Sequence, residues 1–93
     1  MDFSQALSLV KAGHKASRSG WARQPLDPQE PFIFMVPGSH FEVNRPPLLG
    51  IYPEGTPIDY HPHVDMRIRD GRIVPWLCSQ VDLFADDWYI LDE

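Results

Sequence analysis

The sequence predicts an α+β fold: one N-terminal helix packed on a small, mainly antiparallel β-sheet, with long proline-rich loops. Three observations predict it. An apolar stripe at helical spacing opens the chain, and short β-favouring runs follow from Phe32 onward. An Asp-Gly pair joins two of those runs, and ten prolines break up the stretches between the others.

Phe3, Ala6, Leu7 and Val10 stand at i, i+3, i+4 and i+7, the buried stripe of an amphipathic helix. Asp2 suits the N-cap, and Gln5 three residues later completes a capping box. Gly13 reads as the stop, so a helix is expected near residues 3–12. Ala16 and Arg18 suggest a short strand ending at Gly20. Residues 24–31 carry Pro25, Pro28 and Pro31, which forbid helix and regular ladder pairing. Phe32–Val36 is an apolar, β-favouring run closed by Pro37-Gly38, and reads as a buried central strand.

Residues 37–62 read as a long loop, with Pro46-Pro47, Pro53, Gly55, Pro57 and Pro62 along it. A loop of that length is uncommon unless it has a task or a partner. From His63 to Ile68 the chain alternates, with Val64, Met66 and Ile68 on one face. Asp70-Gly71 is a hairpin turn and residues 72–74 form the return strand. Ser79 caps a short helix reaching Ala85, and residues 88–91 form the last strand, with Trp88 in the core.

The whole of residues 1–93 is expected to be one domain. Small size limits the core, and small domains often recover missing burial by assembling, which makes a homo-oligomer the expectation. Net charge is −5, from 8 Lys+Arg against 13 Asp+Glu. An acidic chain with no basic run argues against DNA or RNA as partner, yet leaves room for a small phosphorylated ligand. Cys78 is the single cysteine, so no intrachain disulfide is possible and a reducing cytoplasm is expected. No signal peptide is read at the start, and no apolar run approaches the roughly 18 residues of a membrane span.

Three constellations could carry chemistry. His61, His63 and Asp65 share a face if they lie in one strand, as in a metal triad; the plainer reading is the polar outer face of a strand whose inner face carries Val64 and Met66. Cys78 is either a nucleophile with a distant His or a small buried hydrophobe. Walker-type and dinucleotide glycine loops are absent from the sequence, as is a hydrolase elbow around Ser79. Neither a catalytic residue nor a cofactor is therefore expected. Third, Trp21 and Trp76 offer flat faces on which a nucleobase can stack, worth about 1–3 kcal/mol per base. Arg18, Asn44, Arg45, Ser79 and Gln80 can read hydroxyls and phosphates. The alternative is that the tryptophans anchor the core.

Several segments carry more than periodicity. Among them are Lys11-Ala12-Gly13, Arg18-Ser19-Gly20-Trp21, Val43-Asn44-Arg45-Pro46-Pro47-Leu48, Tyr60-His61-Pro62-His63-Val64-Asp65-Met66 and Val74-Pro75-Trp76-Leu77-Cys78-Ser79-Gln80. Together, over nearly the whole chain, they resemble the second Thoeris anti-defence family of phage and prophage proteins. That resemblance implies a sponge acting in the cytoplasm of the bacterial host. It would sequester cyclic ADP-ribose-type signals, chiefly glycocyclic ADP-ribose, without degrading them. It further implies a homotetramer with pockets between protomers, and in some members separate sites for the cyclic di- or trinucleotides of CBASS defence. On this chain the resemblance assigns the ligand-sandwiching aromatics to Trp21 and Trp76. It assigns polar pocket positions to Asn44, Arg45, Asp65, Ser79 and Gln80. One segment departs from the pattern: residues 22–31, with three prolines, replace a Gly/Asn-rich turn beside Trp21.

Two other readings stay open at this point. One is a metal-dependent phosphodiesterase or hydrolase built on His61, His63 and Asp65. The other is a protein-interaction module that uses the loop from Pro37 to Pro62.

Overall fold

The opening stripe folds as expected. In the computed structural model, which describes residues 1–91 and leaves Asp92 and Glu93 outside the described residues, helix α1 spans Phe3–Lys11. Both arms of the capping box form: the Gln5 amide donates to Asp2 Oδ1 at 2.9 Å, and the Asp2 amide donates to Gln5 Oε1 at 3.1 Å. The helix ends in a Schellman motif. Gly13 takes φ 105°, a conformation other residues reach only with strain. The His14 amide then reaches the Leu9 carbonyl at 3.1 Å and the Gly13 amide that of Val10 at 3.0 Å.

Seven strands follow: β1 Ala16–Arg18, β2 Phe32–Val36, β3 Ser39–Glu42, β4 Pro57–Tyr60, β5 His63–Arg67, β6 Ile73–Pro75 and β7 Trp88–Ile90. A second helix, α2, covers Gln80–Phe84. Five strands form an antiparallel sheet in the order β6-β5-β2-β1-β7, which puts β2 at the centre. β3 and β4 form a separate two-stranded sheet. The fold is therefore α+β, as the patterning indicates.

Register decides what each face carries. Ala16 pairs with Ile33 and Ile90, Ile33 with Met66, and Met35 with Val64. Alternation puts these residues on one face. There they pack with Ala6 and Val10 of α1 and with Trp88, all at most 1% exposed. Alanines at 6 and 16 let the helix come close to the strands. The other face carries Ser17, Phe32, Phe34, Asp65, Arg67, Ile73 and Tyr89, and no helix covers it. So β2 is central but only Ile33 in it is fully buried.

Three expectations are corrected. The early strand stops at Arg18, and Ser19–Trp21 turn as a 3₁₀ helix. Residues 37–62 are not simply loop: β3 and β4 pair from Ser39↔Tyr60 to Glu42↔Pro57 and make an arm. The arm leaves the sheet at Gly38, where a Cβ would stand 2.7 Å from the Tyr60 carbonyl oxygen, so only glycine fits. Finally, His61 and Pro62 precede β5, so His61 does not share a strand with His63 and Asp65.

Candidate ligand-binding site

Trp88 is the centre of an aromatic cluster at the seam between α1 and the sheet. Its ring meets Trp21 at 5.1 Å between centroids, with planes at 78°, and Trp76 at 6.1 Å and 84°. Phe3 fills the angle, 5.4 Å from Trp88 and 5.8 Å from Trp76. Near-perpendicular contacts suit the ring quadrupoles. The buried indole of Trp88 donates to the Asp82 carbonyl at 3.0 Å, which satisfies its one donor. Trp21 and Trp76 are both half-buried, and each meets Trp88 rather than the other. Within one chain the position between them belongs to Trp88.

Carboxylates brace this end of the molecule. Arg18 donates through Nε to Asp87 Oδ1 at 2.7 Å and through Nη1 to Asp82 Oδ1 at 2.8 Å. Asp87 Oδ2 also accepts from the Gly20 amide at 3.0 Å, fixing the turn that presents Trp21. The Arg18 hydrogen bonds hold the Asp87 carboxyl below the usual carboxylate range, and in return raise the guanidinium of Arg18. Arg18 is only 16% exposed and already faces two anions. Its side chain is a structural tie and not a free phosphate donor. Ser79 caps α2, its hydroxyl accepting from the Asp82 amide at 3.0 Å, and Gln80 stands exposed in the first turn.

A second ion pair flanks Trp21 on its other side. Arg69, at the β5–β6 turn, donates to the Trp21 carbonyl at 2.5 Å and to Asp27 Oδ2 at 2.8 Å. Asp27 accepts in addition from the amides of Arg23 at 3.0 Å and Gln29 at 2.9 Å. Those backbone bonds, with Arg69 behind them, pull the Asp27 carboxyl down to about 2. The proline-rich segment is thus tied to the hairpin, and beside it lies a cavity of about 390 Å³ lined by Ser19, Ala22, Arg23, Leu26, Glu30 and Tyr89 among others.

The remaining candidates lie elsewhere. Asn44 and Arg45 line a cavity of about 550 Å³ inside the arm, with Phe41, Val43, the Pro46–Pro47 cis pair and Leu48. No residue of the tryptophan cluster lines it. Asp65 is on the sheet face away from α1, opposite Phe34, with His63 Nε2 at 3.6 Å. His63 Nδ1 is 3.2 Å from the His61 carbonyl oxygen. Among the described residues no group of three His, Cys, Asp or Glu side chains is placed to hold a metal ion. Burial, together with nearby Asp82, raises the Cys78 thiol above its ordinary value, the opposite of what a thiolate nucleophile needs.

The structure gathers Arg18, Trp21, Trp76, Ser79 and Gln80 around Trp88 and α2, puts Asn44 and Arg45 in the arm, and sets Asp65 on the opposite sheet face, paired with Pro75 beside Trp76. Sequence reasoning missed Asp87, Asp27 and Arg69. Their partners stand 69 and 42 residues away in sequence, and no local motif signals such pairs.

One helix across a five-stranded antiparallel sheet, with braced tryptophans at the seam, defines a small α+β protein. The sequence model of the Tad2-like domain, described as the Thoeris anti-defense 2-like domain, matches residues 1–91, and the chain belongs to that family. A relative, Thoeris anti-defense 2 of Bacillus phage SP01, is 28% identical over 91 residues, covering 98% of this chain and 94% of that protein. Membership supports a role in anti-defence. Among the described residues no helix is long and apolar enough to cross a membrane.

Proposed function

We propose that this chain is a non-enzymatic sponge for a cyclic ADP-ribose-type signal, chiefly glycocyclic ADP-ribose, and that it blocks Thoeris defence in the cytoplasm of the infected bacterium. The observation that carries the reading is the pair of half-buried indoles, Trp21 and Trp76, fixed by Trp88 and by the Arg18–Asp87 brace. Rigid aromatic faces bind a purine without first having to be ordered, which favours tight binding over turnover. The arm cavity, with Asn44 and Arg45, is the second place on the chain able to take a nucleotide, such as a CBASS cyclic di- or trinucleotide.

Because Trp88 stands between the two indoles, a base sandwiched by Trp21 and Trp76 needs Trp21 from one copy and Trp76 from another. Two dimensions support assembly. The radius of gyration is 16.3 Å, against about 12 Å for a compact chain of this length. The chain exposes 6597 Å², about 1,100 Å² more than a compact monomer of 10.7 kDa. A standard interface takes about 800 Å² from each partner. The arm shows where much of the excess lies, in Phe41, Leu49, Ile51, Tyr52 and Tyr60, each at least 36% exposed. A homotetramer would cover it.

Calorimetry with glycocyclic ADP-ribose and with cyclic di- and trinucleotides tests the proposal. Stoichiometric binding is expected, with ligand released intact on heat denaturation. Trp21→Ala should abolish binding while leaving a folded protein. Recovery of cleaved ligand would overturn the sponge and favour an enzyme.

A further inference from the structure

If a phosphorylated ligand stacks on Trp21, a cation beside the indole would strengthen binding of its phosphates, and the chain as a whole is acidic. Arg18 is closest before Trp21 in sequence, yet Asp82 and Asp87 already engage it. Arg69 is held by Asp27 and Arg72 by Asp70. Lys15 and Arg67 lie over the Phe32 ring on the uncovered sheet face, and Arg45 lines the arm cavity. Arg23 differs from all of these. It follows Trp21 by two residues, is exposed, and has no carboxylate partner among the described residues. It also lines the 390 Å³ cavity together with Ser19, the first residue of the Trp21 turn, and Ala22, which follows it, although the Trp21 ring itself is outside that lining.

Its backbone is held, although its side chain is not. One ion pair grips both ends of the segment from Trp21 to Arg23: Arg69 takes the Trp21 carbonyl at 2.5 Å, and Asp27 takes the Arg23 amide at 3.0 Å. The two gripping side chains meet at 2.8 Å, with Asp27 only 5% exposed. The distance from the indole to the start of the Arg23 side chain is thereby fixed. The one carboxylate in the cavity, Glu30, is buried and accepts the Tyr89 hydroxyl. That leaves the exposed side to Arg23.

We propose that Arg23, and not Arg18, reads the phosphates of an anionic nucleotide stacked on Trp21, and that the Arg69–Asp27 pair is the clip that positions it. The inference rests on the sponge reading above. It assigns a specificity role to the proline-rich segment: the segment brings a cation to the turn that carries the indole. Arg69 and Asp27 are positioning residues, since they touch the loop and not the ligand.

The test is calorimetry with glycocyclic ADP-ribose over a range of salt concentrations. Arg23→Ala should weaken binding roughly 10- to 100-fold, the range for a lost charge-assisted hydrogen bond. It should also flatten the dependence of affinity on salt by about one charge, and leave the thermal midpoint unchanged. Arg23→Lys should recover part of the affinity and the whole salt slope. Arg69→Ala, or Asp27→Asn should Arg69→Ala fail to fold, should weaken binding in the wild-type background and add little to Arg23→Ala. Wild-type affinity in Arg23→Ala, with binding still lost in Trp21→Ala, overturns this inference and leaves the sponge reading intact. Additive losses from Arg23 and Arg69 overturn the clip. A wild-type protein that binds none of the cyclic nucleotides overturns the sponge reading, and this inference with it.

Discussion

At the helix–sheet seam, Ala6, Val10, Ala16 and Ile33 are wholly buried, and the nearby guanidinium of Arg18 is matched by carboxylates. In the arm, Val43 is the single buried residue among those described, and β3 is exposed along its whole length. Both regions are antiparallel and both are rich in aromatics. They differ in where the aromatic surface is covered. The seam covers Trp88 with its own Phe3, Trp21 and Trp76, whereas the arm leaves Phe41, Ile51 and Tyr52 to solvent in the single chain. The contrast teaches that burial within one chain is concentrated at the seam, and that in the proposed assembly the arm is the surface left for another copy. A two-stranded sheet alone is marginal in water, so an arm of this kind gains most from a partner.

Three changes would break or sharpen this contrast. The largest effect is expected from Trp88→Ala. It removes the ring on which three others lean, and should cost about 3–5 kcal/mol and unfold much of the chain, as read by thermal or urea denaturation. A small loss there would mean that the seam is not the stabilising region.

Arg18→Met comes next. It leaves Asp82 and Asp87 without their cation in a half-covered site, and about 2 kcal/mol should be lost at neutral pH. The acid dependence carries the sign. Asp87 is lowered on folding, so its contribution is fully present above the ordinary aspartate value of 3.8 and is lost as pH falls through its lower folded value. Asp27 behaves alike, over the window from 3.8 down to about 2. Stability should therefore fall below about pH 4 in the wild type, and less steeply in Arg18→Met. Identical acid profiles would argue against the brace.

The smallest effect on folding belongs to the arm. Phe41→Ser with Tyr52→Ser should change the stability of an isolated chain by less than about 0.5 kcal/mol. The same pair should lower the oligomeric state in sedimentation experiments at micromolar concentration. If it unfolds the monomer and leaves assembly intact, the two regions have been assigned the wrong way round.

The seam was more legible in the sequence than the arm, for physical reasons. Helix α1 announces itself three times, by the Phe3–Val10 stripe, by Asp2 with Gln5, and by Gly13. The Asp70-Gly71 turn is equally clear, and Gly71 adopts φ 92° there. Strands β3 and β4 gave no such signal, because neither buries a face and alternation has nothing to record. Pro57 at the head of β4 also argued against pairing. For the candidate site, aromatic type and position drew attention to Trp21 and Trp76 without deciding between core anchor and ligand face, and could not place Asn44, Arg45 and Asp65, whose positions depend on how the arm and the sheet face turn away from the seam. The ion pairs that brace Trp21 join distant segments and become visible only when the sheet is assembled.

The three indoles have a spectroscopic consequence. Rings 5.1 and 6.1 Å apart and nearly perpendicular are close enough for their electronic transitions to couple. The unlabelled protein should thus carry an exciton couplet in its circular dichroism, dominated by Trp88 and its two neighbours. A purine laid against Trp21 or Trp76 would join that coupled system and alter its shape, so signal capture could be followed optically and in real time, with no dye attached.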